Sequence, residues 1–83
     1  MDEKEIGVVT HFFANLGVGV IKLSGNLKIG DKIHIVGETT NFEQTLESMQ
    51  VDKKYIEVAK PSDDIGVKFK ERVRANDKVY LVE

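Results

Sequence analysis

The stretch Leu27-Lys-Ile-Gly-Asp-Lys-Ile-His-Ile-Val-Gly37 constrains the fold most, because it contains a turn followed by a complete strand. Gly30-Asp31 supplies the turn chemistry: glycine takes positive φ without steric cost, and aspartate hydrogen-bonds its own backbone. From Lys32 to Val36 the residues alternate, Ile33 and Ile35 on one face and Lys32 and His34 on the other. That is the period of a half-buried strand. The phrase returns at the C-terminus as Val73-Arg-Ala-Asn-Asp-Lys-Val-Tyr-Leu-Val-Glu83, with Asp77, Lys78 and Val82 matching Asp31, Lys32 and Val36. Asn76 stands in the place of Gly30, and asparagine is among the residues that best tolerate the left-handed region.

The rest of the chain follows the same grammar. Ile6 to Asn15 predicts a first strand, rich in β-branched and aromatic residues (Val8, Val9, Thr10, Phe12, Phe13). Asn15-Leu16-Gly17 predicts a turn, Val18 to Leu23 a second strand, and Ser24-Gly25-Asn26 the next turn. Thr39 to Val51 is ambiguous on its residues. Thr40 and Glu43 have capping-box spacing and Phe42, Leu46 and Met49 fit a short helix, yet Phe42, Gln44 and Leu46 also alternate as a strand. Lys53 to Lys60 reads as a polar connection. Pro61-Ser62-Asp63 is a turn, Asp64 to Lys70 a strand with Ile65, Val67 and Phe69 inward, and Lys78 to Val82 the last strand with Val79 and Leu81 inward. Short strands between turn signals, with no long helix, predict an all-β fold: a small six-stranded antiparallel β-barrel.

A chain of 83 residues makes a single domain (1–83, core approximately 5–82). It buries roughly 60% of its unfolded surface. The absence of cysteine excludes disulfides and thiolate metal sites and fits a reducing compartment, so a cytoplasmic location is expected. Met1 to Glu5 is acidic and unlike a signal peptide. No apolar run approaches about 18 residues, so no membrane span is expected. The net charge of −2 is uneven: residues 1–52 carry four basic and eight acidic side chains, residues 53–83 eight basic and six acidic.

Catalytic constellations are not evident, and the chain is expected not to be an enzyme. His11 and His34 have no second histidine or carboxylate at metal-ligand spacing, so His34 reads as a solvated ring and no metal or other cofactor is expected. Asp63 and Asp64 project to opposite sides of an extended backbone and do not share a proton. Ser24, Ser48 and Ser62 lack the Gly-x-Ser-x-Gly context of a nucleophile elbow. The sharper signal is basic. Lys68, Lys70, Arg72 and Arg74 alternate and, with Lys78 close in sequence, form a candidate nucleic-acid-binding row that contacts phosphates. Tyr80 or His34 is placed to stack a base. The competing class is a protein-interaction surface carried by whichever of Phe12 and Phe13 faces outward.

Taken in order, Ile6-Gly-Val-Val9, Gly17-Val-Gly-Val20, Leu27 to Gly37, Leu46-Glu-Ser-Met49, Glu57-Val-Ala-Lys-Pro-Ser-Asp-Asp-Ile-Gly66 and Asn76-Asp-Lys-Val79 resemble a known pattern. It is the second domain of translation elongation factors of the elongation factor Tu class, over roughly Glu5 to Val82. The resemblance implies a six-stranded barrel in which Phe42 to Val51 is a strand. It also implies a non-catalytic binding module that contacts RNA or the ribosome, or a protein partner such as a translation GTPase. A protein-interaction adaptor without RNA contact is the alternative. Ser62 and Asn76 stand where that family has glycine, and no Gly-x-x-x-x-Gly-Lys-Ser/Thr is present to hold a nucleotide. A similar barrel is also appended to collagenase-like peptidases, so the fold does not by itself imply translation.

Overall fold

Residues 3–82 are described in the computed structural model, which leaves Met1 and Asp2 of the acidic start and Glu83 of the echo outside. Ten strands form: β1 (Glu3–Phe13), β2 (Val18–Leu23), β3 (Leu27–Lys28), β4 (Lys32–Val36), β5 (Asn41–Thr45), β6 (Met49–Val51), β7 (Lys54–Ile56), β8 (Val58–Ala59), β9 (Asp64–Lys68) and β10 (Lys78–Val82). Eight of them make one sheet in the order β5-β4-β10-β1-β2-β9-β6-β7, while β3 and β8 pair separately. Every pairing is antiparallel. The all-β, antiparallel expectation holds, and no helix occurs among the described residues. The hydrogen-bonded order runs from β5 to β7 without returning on itself.

The strand count exceeds six for three local reasons, the first being the two-residue strand β3 that pairs with β8. Lys53 to Lys60, expected as a connection, forms β7 and β8. Phe42 to Val51 is extended but broken: β5 stops at Thr45 and β6 starts at Met49. The Leu46 N–H donates to Asp31 O and its carbonyl accepts from Gly30 N–H, both at 2.8 Å, so Leu46 is tied to the chain just before β4. Glu47 and Ser48 then shift the parity, and Leu46 and Met49 both reach the core. This insertion is why the apolar spacing imitates a helix.

Three turns share one construction. In Lys28–Asp31, Lys60–Asp63 and Arg74–Asp77 the aspartate N–H donates to the carbonyl of the first residue at 3.1 Å. Each aspartate Oδ2 accepts from the N–H of that same residue, at 3.0, 3.0 and 2.9 Å. The third residue takes positive φ in each: Gly30 at 97°, Ser62 at 77° and Asn76 at 77°. An i to i+3 bond with left-handed backbone at i+2 defines a type II turn, in which Pro61 occupies the favoured second place.

The first and last of these turns launch β4 and β10, which lie side by side with Ile33 opposite Leu81, His34 opposite Tyr80 and Ile35 opposite Val79. Ile33, Ile35, Val79, Ile65 and Val67 are buried as the alternation requires, as is Phe69, whereas Leu81 is half-buried. Register shifts in β1 at Glu5/Gly7 and Val9/His11 bend it around the core. Beyond the second shift Phe12 packs partly against the core and Phe13 faces outward, 45% exposed.

Candidate functional site

The fold divides the basic row. Strand β9 ends at Lys68, so the alternation that would align Lys70, Arg72 and Arg74 has no strand to act through. Phe69 and Val73, four positions apart rather than two, are the buried residues of this segment. Arg74 opens the turn into β10. Lys78 lies on β10, separated from β9 by β1 and β2. Three inter-strand steps amount to roughly 14 Å along the sheet. Lys78 also sits 3.7 Å from Glu5.

Lys68 and Lys70 do come together, on the rim of a cleft of about 420 Å³ lined by Gln44, Thr45, Glu47, Ser48, Lys68, Phe69 and Lys70. The cleft lies where the terminal strand β5 approaches the end of β9. Gln44 spans that seam: its Nε2 donates to Lys68 O at 3.0 Å, and its Oε1 accepts from Lys70 N–H at 2.9 Å. The side-chain amide thus imitates a strand peptide group where the ladder is missing. Lys70 Nζ stands 5.9 Å from the Phe42 ring centroid, close enough for a cation–π contact. Arg72 borders a second depression, with Glu38, Asn41 and Glu71. Gln44 escaped the sequence reading because its partners are 24 and 26 residues away.

A polar cluster occupies the outer face of β5, β4, β10 and β1. His34 Nδ1 lies 2.9 and 3.0 Å from the two Glu3 oxygens, and Nε2 lies 2.5 Å from Asn41 Oδ1. Lys32 Nζ is 3.0 Å from Glu43 Oε1. The expectation that His34 is a solvated ring without a nearby carboxylate is therefore corrected. Its carboxylate neighbours come from β1 and β5, and no local spacing reveals the first. Glu43 alone was accessible to inference, since it pairs with His34 across the β4–β5 hairpin. With both ring nitrogens donating, to Asn41 Oδ1 and to Glu3, the imidazolium is favoured and the His34 pKa rises above its ordinary value despite some desolvation. Lys32, bonded to Glu43, holds that carboxyl below its ordinary value.

The sign of the resulting pH dependence follows from the raised folded-state value. Below the unfolded pKa of about 6.5 the His34 contribution is fully present, and it disappears as pH rises through the higher folded pKa. Denaturant unfolding of the native protein and of His34→Gln, in chelator, is expected to show the larger stability difference at about pH 5.5 and the smaller at about pH 8.5. A difference independent of pH would mean that His34 does not bind its proton more tightly in the fold.

No protein-family model matches the chain. Among curated proteins it is 44% identical over 80 residues to an uncharacterized protease of Methanocaldococcus jannaschii, covering 95% of this chain and 20% of that protein. It is 36% identical over 77 residues to a collagenase of Porphyromonas gingivalis, covering 90% of this chain and 21% of the collagenase. The chain thus spans about a fifth of the length of the curated relatives it matches. Its fold is similar to the crystal structure of the C-terminal domain of a putative U32 peptidase from Geobacillus thermoleovorans, with a TM-score of 0.90 and 18% identity over 96% of this chain and 93% of that one. The selenomethionine variant of that domain aligns with a TM-score of 0.86 and 19% identity, over 92% of this chain and 96% of that one.

These findings overturn the translation-factor resemblance, and with it the expected non-catalytic module that contacts RNA or the ribosome. The expectation that the chain is not an enzyme is corrected as well, since the relatives it matches are named as a protease and a collagenase. The physical reason is plain in the turns. The Gly-Asp phrases and alternating strands that carried the resemblance are requirements of type II turns and curled sheets, which unrelated small β-domains share. No helix among the described residues is long and apolar enough to cross a membrane.

Proposed function

We propose that this chain is one domain of a larger peptidase-type protein, and that its seam cleft holds a segment of extended polypeptide. The observation that carries the reading is the 44% identity, over 95% of the chain, to a fifth of a protein named as a protease. The collagenase match and the likeness to the C-terminal domain of a putative U32 peptidase support the same assignment. At about 420 Å³ the cleft is near the small end of ligand pockets, room for two or three side chains rather than a folded substrate. Lys68 and Lys70 on its rim attract a carboxylate, and Phe69, packed edge-on against Phe42, supplies apolar lining. The curled sheet works in this reading as a barrel, with Gln44 in place of the missing ladder between β5 and β9. A cytoplasmic setting is retained, supported by the absence of cysteine.

Retention on immobilised denatured collagen and casein at low ionic strength tests the assignment. The charge-reversed Lys68→Glu/Lys70→Glu variant is expected to bind about tenfold more weakly, since two exposed charge pairs are each exchanged for repulsion. Hydrolysis of the same polypeptides by the longer protein is expected to slow in parallel. Undiminished binding by the variant rules out the cleft. Retention of RNA in place of polypeptide would likewise rule out the polypeptide reading.

A further inference from the structure

The outer face of the sheet gathers metal-ligating atoms from three strands: Glu3 on β1, His34 on β4 and Glu43 on β5. One ligand atom from each lies within 4.8 Å of the others. We propose that these three side chains form a binding site for a divalent transition-metal ion of the zinc class. The proposal stands apart from the polypeptide cleft, which shares none of its residues.

The donor set fits that class. A neutral imidazole nitrogen with two carboxylate oxygens suits zinc, cobalt or manganese, and three protein ligands leave a position for water. Orientation of the ring is already provided. Asn41 Oδ1 faces Nε2, so Nε2 keeps its proton and Nδ1 is turned towards Glu3. A metal-binding histidine is ordinarily fixed in this way, by a second group on the ring nitrogen that does not coordinate. An ion pair with His34 requires one carboxylate. Here Glu3 approaches from one side of β4 and Glu43 from the other, a concentration of negative charge that a dication neutralises more fully than a single imidazolium does.

Zinc ligands at about 2.0–2.2 Å stand roughly 3.2–3.6 Å from one another. Closing from 4.8 Å therefore requires only a swing of the carboxylates, whose side chains are 33% exposed at Glu3 and 40% at Glu43, while His34 at 18% stays held. Lys32 engages Glu43 Oε1 and leaves Oε2 for the ion. Its charge opposes a second cation, so removing it should tighten binding. Tyr80 is directly opposite His34 on β10.

The experiment is calorimetric titration of the tag-free protein with Zn²⁺ alone, followed by Co²⁺ titration with visible absorption. One equivalent is expected to bind. Glu3→Gln and Glu43→Gln, which keep shape and sit on exposed positions, should each weaken binding at least tenfold, and His34→Ala should abolish it. Asn41→Ala should weaken it by about 10–100-fold through loss of ring orientation. Lys32→Gln should tighten it severalfold, and His11→Ala should leave it unchanged. In nitrogen-detected NMR, Zn²⁺ should move the Nδ1 resonance of His34. No binding below millimolar Zn²⁺, binding that survives both glutamine variants, or loss of binding in His11→Ala overturns the proposal. The glutamine variants keep the test decisive should His34→Ala fail to fold.

Discussion

Leu46→Ala is expected to lower the free energy of unfolding by about 2–5 kcal/mol, read as a shift in the denaturant midpoint at constant slope. Leu46 is fully buried within the hydrophobic cluster. The cost of such a truncation depends on how far the surroundings collapse into the space. Here collapse is resisted, because the Leu46 N–H and carbonyl are both bonded, to Asp31 and Gly30. The backbone cannot move inward without breaking two hydrogen bonds, so the upper part of the range is expected. A domain of this size has only about 4–12 kcal/mol to lose. Leu46→Met, which keeps volume, should cost less than about 1.5 kcal/mol. An alanine effect below about 1 kcal/mol would show that the residue lies outside the packed core.

Gly37→Ala should destabilise by about 2–4 kcal/mol, through steric conflict rather than backbone strain. A Cβ at position 37 would stand 1.9 Å from Asp77 Oδ1 and 2.5 Å from its Cγ. Asp77 cannot step aside cheaply. It is 5% exposed, its side chain is short, and its Oδ2 accepts the Arg74 N–H at 2.9 Å. Moving it abandons the turn that starts β10. A double-mutant cycle isolates the conflict: once Asp77→Ala has removed the carboxylate, Gly37→Ala should add little, giving a coupling of about 1–3 kcal/mol. Additive losses would mean that the two positions do not meet.

The Gly37–Asp77 contact explains why the end of the first phrase and the turn of its echo are coupled. Both phrases are strands preceded by the same aspartate-closed turn, and they pair antiparallel as β4 and β10. Asp77 caps its own turn and also fills the space above Gly37. A residue that reads as local turn chemistry is therefore a tertiary contact too.

The loss of the translation-factor reading has the same origin. Its motifs sat at turns and strand starts, where residue choice follows backbone geometry rather than function. The match to proteins named as a protease and a collagenase extends over nearly the whole chain, and so it includes the surfaces as well as the turns. On those surfaces the basic row dissolves. Its four alternating members required a strand to Arg74, whereas β9 ends at Lys68 and the next buried residue after Phe69 is Val73, four positions on, which breaks the alternation.

Local features were legible in the residues alone. Alternation placed Ile33, Ile35, Ile65, Val67 and Val79 inward, and the Asp31, Asp63 and Asp77 turns were legible because their hydrogen bonds close over three residues. The order of the strands emerges only from the packed fold. Glu3 and His34 are 31 residues apart, and Gln44 reaches Lys70 across 26. Neither meeting has a period or a spacing to betray it. A strand pattern specifies which face of each strand is buried, but the choice of neighbour depends on the summed packing of the whole sheet. The outer face, where Glu3, His34 and Glu43 converge, is a product of that choice.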